Sequence, residues 1–145
     1  MTNAFKHSGN PGDLIYSLAL VQYFGGGEFY LHLDQINFLS KKYYGVEAPP
    51  IHKGRMNIKD YQFMKTFMEA QTYIDKFEPM GPQAAITHNL DRFRDLFVGH
   101  PGNYVDCYAS TFNIMDPDLR TQIRQTPWLT VPNPRKIEGK VGVVN

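Results

Sequence analysis

Five residues near the start of the chain, Gly9-Asn10-Pro11-Gly12-Asp13, bring together the types that can do chemistry where a strand turns into a helix. Gly9 and Gly12 lack side chains, so another group can come close to the backbone. Asp13 stands where the apolar spacing becomes helical, and it has two readings. As an acidic first-turn residue it favours the helix start. As a carboxylate held by the helix dipole it can take a proton from a hydroxyl. A helix N-terminus is commonly an anion site, but Asp13 brings its own negative charge, which argues against a phosphate at the same spot. The spacing Gly-x-x-Gly-Asp is neither the dinucleotide fingerprint nor a phosphate-binding loop followed by Lys-Ser/Thr. NAD and ATP readings of this turn are therefore rejected.

Around the turn, His7 either helps to shape a ligand site or is a hydrogen-bonded histidine at a strand end. Tyr16 and Ser17 lie one turn into the helix, where a ligand of the turn would meet them, and at least one of the two is expected to face solvent. The five histidines, His7, His32, His52, His88 and His100, include no pair at i, i+4 and no His-Glu-x-x-His, so no metal site is expected. His88 with Asp91, Arg92 and Arg94 reads as a solvated charged face. Cys107 sits on an apolar helical stripe and reads as core rather than nucleophile. Trp128 either packs or stacks on a ligand.

The elements that must position these groups follow from periodicity. Ala4 to Ser8 reads as a short first strand. From Asp13, Leu14, Ile15, Leu18, Val21 and Phe24 form one stripe of a helix. Gly25-Gly26-Gly27 stops it, and Glu28 to Leu33 reads as a second strand. Together these make a βαβ unit, whose crossover favours parallel strands. INFLSKKYYG is a short helix or an irregular segment, and APPIHKGR a loop. Asn57 and Asp60 form a capping-box-like pattern before a helix over Ile58 to Ala70. Tyr73 to Phe77 is a candidate third strand. Ile86 to Phe97 is a helix or a structured loop. Asn103 caps a helix running to about Ile114, and Asp116-Pro117 opens a polar piece. Pro127, Pro132 and Pro134 make an extended stretch, and Lys140 to Asn145, KVGVVN, reads as a buried strand.

The 145 residues suffice for one domain with its own core, at 42% hydrophobic and 20% charged. A net charge of +1 without like-charge blocks gives no footprint for nucleic acid or an anionic membrane. The single cysteine suits a reducing compartment, and no apolar run approaches a membrane span or a signal peptide, so a cytoplasmic protein is expected. The expected layout is a Rossmann-like α/β domain over residues 1–126, with a mostly parallel sheet flanked by helices. A Pro-rich linker follows over 127–139, and 140–145 is either the last strand or the start of a second domain.

The run HSGNPGDLIYSLA resembles the N-terminal signature of heptosyltransferase-like glycosyltransferases, the ADP-heptose:lipopolysaccharide group. HNLDRFRD and PWLTVPNPRKIEGKVGVVN resemble later passages of that family more weakly, and Ala19 stands where the family commonly has proline. The resemblance implies a GT-B architecture of two Rossmann-like halves. The N-terminal half takes a glycan or lipid-linked sugar acceptor, and a C-terminal half, absent here, takes a nucleotide-sugar donor. It implies Asp13 as the base of an inverting transfer that needs neither metal nor bound cofactor. Gly9, Asn10, Gly12, His7 and Tyr16 are then the substrate-side residues. Two rivals stand beside it. Polysaccharide pyruvyl transferases begin with a similar Gly-Asn-x-Gly-Asp turn, and a non-catalytic α/β module would bind a glycan or a protein without turnover.

Overall fold

The computed structural model describes residues 2–34, 56–96 and 102–132. INFLSKKYYG, APPIHKGR and KVGVVN lie outside the described residues.

The order of elements is β1 (Ala4–His7), α1 (Pro11–Tyr23), β2 (Gly27–Leu31), α2 (Ile58–Glu69), β3 (Ile74–Pro79) and β4 (His88–Asn89). A 3-10 turn (Leu90–Arg92), α3 (Phe93–Leu96), α4 (Tyr104–Thr111) and α5 (Pro117–Gln125) complete it. The strands form a single all-parallel sheet in the order β3-β2-β1-β4. This is a Rossmann-like α/β fold flanked by helices. His7 pairs with Leu31, and Phe5 with His88.

β1 is buried on both sides, which suits an interior strand of a parallel sheet. Phe5, Leu14, Leu18, Leu20, Phe29, Leu31, Met68, Leu90 and Tyr108 are essentially inaccessible and belong to one core. Burying each large apolar side chain of this set is worth roughly 1.5–3 kcal/mol before entropy is charged against it. α2 packs on β3, while α1 packs against α4 and α5.

Local chemistry explains the element ends. α1 begins two residues before the predicted Asp13, because Asn10 caps it through the Asp13 N–H at 3.0 Å and Pro11 occupies the first helical position. Gly12 is therefore inside the helix rather than in the turn. At the other end, Gly26 takes φ +77° and passes so close to the Tyr73 carbonyl that a Cβ would overlap it. α2 carries the predicted capping box in full: the Asn57 side chain accepts from Asp60 N–H, and Asp60 Oδ2 accepts from Asn57 N–H at 2.9 Å.

The segment after β3 departs most from expectation. Of the expected Ile86 to Phe97 segment, the described residues 86–96 are neither one helix nor only a loop. Thr87 pairs with Ala4 through its backbone N–H and its hydroxyl, which starts β4. Asn89 then caps the 3-10 turn through Asp91 N–H, and α3 follows.

The stretch after α5 is extended, as its prolines require, and it is fastened to the body. Gln22 Nε2 donates to the Pro127 carbonyl and Tyr73 Oη to that of Trp128. The Gln71 side chain, fully buried, both donates to Thr130 O (2.9 Å) and accepts from Thr130 N–H (2.8 Å).

Candidate functional site

In the order β3-β2-β1-β4, the chain runs outward from β1 to β3 and then returns to the other side of β1. The topological switch therefore lies between β1 and β4, and open parallel sheets bind ligands beyond the carboxyl ends of the strands at such a point. The Gly-Asp turn leaves β1 there, and Asp91 and Arg94 leave β4 there.

His7 ends β1 and is fully buried. Its Nδ1 accepts the Gly9 N–H at 2.7 Å, and its Nε2 lies 2.6 Å from Tyr108 Oη. An Nδ1 that accepts carries no proton, so the pattern assigns the neutral Nε2–H tautomer. That proton goes to the Tyr108 oxygen, and the phenol in turn donates to the Asp13 carbonyl at 3.0 Å. A relay thus runs from Gly9 through His7 and Tyr108 to the backbone of Asp13. Burial, and next the charge of Asp13, push the Tyr108 phenol well above its ordinary pKa, so it stays a donor. Gly9 is required for contact: a Cβ there would overlap the His7 ring and lie 2.7 Å from Asp13 Oδ2. Gly12 has no such demand, as a Cβ would stand 3.4 Å from Asn10 Oδ1.

Asp13 is the third residue of α1, with its carboxylate in the field of the helix N-terminus. Its side chain is 10% exposed, and Oδ2 lies 3.3 Å from Nη2 of Arg94, itself 9% exposed. Arg94 also bonds Asp91 through Nη1 and lies over the Phe93 ring, 4.8 Å from the centroid. Asp91 further accepts from Ser8 N–H (2.9 Å) and faces Lys6 Nζ at 3.1 Å. Burial alone would raise the Asp91 pKa. The His7 ring whenever charged, the Arg94 guanidinium and the Ser8 hydrogen bond outweigh it and hold the carboxyl well below the usual carboxylate range.

Asp91 and Arg94 correct the expectation of a solvated charged face. The sequence carried a signal for them, an acid and a base at i, i+3, but nothing local said that this pair would turn inward. His88 is half-buried: it stacks on Phe5 at 4.9 Å and meets Phe24 and Phe112, and burial lowers its pKa. Tyr108, which completes the relay, was legible only as one position on a helical stripe.

The other expected site residues are spread differently. Asn10 and Gly12 are exposed on the first turn of α1. Tyr16 is 42% exposed, while Ser17 is buried and donates to the Leu14 carbonyl. Cys107 is core, 1% exposed, and burial followed by the charge of Asp106 raises its thiol pKa. Among the described residues no cluster of His, Cys, Asp and Glu has the geometry to hold a metal ion. No described helix is long and apolar enough to cross a membrane. A cleft of about 240 Å³ between α1 and α5, lined by residues such as Gln22, Tyr23 and Gln122, is built from other residues than this cluster. The cluster can do two things chemically. It can accept a proton at the Asp13 carboxylate, and it can hold a polar ligand against Arg94 and the α1 N-terminus.

No protein-family model, no curated protein and no solved structure matches this chain.

Proposed function

We propose that this chain is the acceptor-side half of an inverting, metal-independent glycosyltransferase, with Asp13 as its base. One observation carries the reading: the Gly-Asp turn and the Asp91–Arg94 pair meet at the switch point between β1 and β4, where folds of this kind take their ligands. In the reaction, an acceptor hydroxyl gives its proton to the Asp13 carboxylate. Its oxygen forms a bond to the anomeric carbon of a nucleotide-activated sugar, and the bond to the diphosphate breaks with the electron pair leaving on phosphate. Arg94 keeps the base in place and balances its charge. The donor is held by a second half, through basic groups and a helix N-terminus.

The test is transfer by the product of the complete reading frame, with a panel of nucleotide-sugars and oligosaccharide acceptors. Asp13→Asn is expected to lower kcat by roughly 10²-fold or more, the range for a lost general base, in a protein whose circular dichroism is unchanged. Full turnover by the folded variant removes Asp13 as the base.

A second reading rests on the burial of that same side chain, nine-tenths covered and paired with Arg94. Here Asp13 is a structural counter-ion in a glycan- or protein-binding module. That reading predicts no transfer from any nucleotide-sugar, and a lowered melting temperature as the main effect of Asp13→Asn.

A further inference from the structure

The buried cluster has an aromatic continuation that neither its hydrogen bonds nor its charges explain. Tyr108, in the relay, stacks on Phe93 with centroids 4.4 Å apart. Phe93 meets Tyr104 at 6.5 Å, Tyr104 stacks on Tyr16 at 5.0 Å and 13° between planes, and Tyr16 meets Trp128 at 6.4 Å. Five rings from four segments of the chain thus form a ladder. Its inner end is sealed, Tyr108 at 0% and Phe93 at 3% exposure, and its outer end opens at Tyr16, 42% exposed. Tyr104 and Trp128 flank Tyr16 half-buried. Tyr16 lies three residues beyond Asp13, so the two side chains share one side of α1, a turn apart.

We propose that Tyr16, Tyr104 and Trp128 form a stacking platform for a sugar ring of an oligosaccharide, one or more units removed from the hydroxyl that meets Asp13. The proposal rests on the transferase reading and names its acceptor class as an oligosaccharide chain rather than a single sugar. Flat aromatic rings suit the C–H face of a pyranose. All three platform side chains are uncharged, which suits a neutral glycan better than an ionic partner. The ladder's continuity with the Asp13 cluster gives such a chain a direction, with its reacting end inward.

Trp128 is the only tryptophan, so its emission reports on the platform directly. Maltoheptaose, cellohexaose and chitohexaose are titrated against the chain, each beside its monosaccharide. At least one oligosaccharide is expected to change the emission saturably, and its monosaccharide to bind more weakly. Tyr16→Ala should raise that Kd roughly tenfold, the scale of one lost aromatic contact. Tyr16→Phe, which keeps the ring, should stay near wild type, as should Tyr23→Ala at the far end of α1. The platform is overturned if none of the three oligosaccharides binds, if Tyr16→Ala binds as tightly as wild type, or if sedimentation shows Tyr16 at the interface of a dimer or of a complex with a protein. Tyr16-dependent binding without transfer by the complete enzyme would leave the platform standing and remove the base. Transfer with an acceptor KM unchanged by Tyr16→Ala would do the reverse.

Discussion

Asp91 gathers polar contacts from several segments: Ser8 N–H, Arg94, Lys6 and the edge of His7 all address one carboxyl group. Its folded-state pKa is depressed: burial would raise it, but the His7 ring whenever charged, the Arg94 guanidinium and the Ser8 N–H outweigh burial. A depressed carboxyl contributes stability that is complete above its unfolded pKa of about 3.9 and is lost as pH falls from there toward the folded value. Asp91→Asn leaves Arg94 without its nearest counter-charge, and breaking such a buried pair costs about 3–5 kcal/mol. Urea melts of wild type and variant should therefore differ by about that much at pH 7, and the gap should narrow as pH drops below about 4. A gap that is constant from pH 7 to pH 2.5 would contradict the assignment. Little at this scale was legible in advance. The glycines and Asp13 announced themselves by type and spacing. The relay joins residues far apart in the chain, His7 with Tyr108 across 101 positions and Arg94 with Asp13 across 81, and no local pattern encodes such pairs.

At the scale of elements, caps did more than propensity. α2 is rich in exposed side chains, including Phe63 at 82% exposure, and only Tyr61, Met64 and Met68 bury fully. Its reciprocal Asn57–Asp60 box fixes where it starts, and so where Tyr61 meets the Phe77 carbonyl. Asn57→Ala should cost about 1 kcal/mol in thermal or urea unfolding; a change below a few tenths would mean that packing alone sets the helix. Where a cap or a Gly stop was present, as at Asn57, Asn103 and Gly25-Gly26-Gly27, the sequence located that end of the element to within about two residues, whereas the far end of the Asn103 helix falls at Thr111 rather than about Ile114. The miss came at β4. Two residues are too few to show an alternation, and their strand character comes from the partner β1 and from Thr87, not from His88 and Asn89 themselves.

For the whole molecule, the stretch after α5 matters most. Its carbonyls and its Thr130 N–H are taken up by Gln22, Tyr73 and Gln71, which belong to α1 and to the α2–β3 connection. Gln71→Ala removes both bonds to Thr130, part-buried contacts each worth about 0.5–1.5 kcal/mol. The released strand should expose Trp128, shifting its emission to the red, and add a protease-sensitive site within residues 127–132. An unshifted spectrum and an intact chain would show that the prolines hold this course by themselves. Composition had marked the stretch as extended, but composition describes backbone angles and not attachments. A glutamine in the middle of the chain gives no hint that its amide will close on Thr130.

The relay that ends on the Asp13 carbonyl has a consequence for synthesis. The turn leaves the ribosome first, yet Tyr108, which fastens it, is 95 positions further on. Domains made from the N-terminal end must hold such early segments unfinished until the late ones arrive. A nascent chain shorter than about Tyr108 carries the Gly-Asp bend as an open loop with its carboxylate in water. The constellation is thus assembled last, although its first members are translated well before Tyr108.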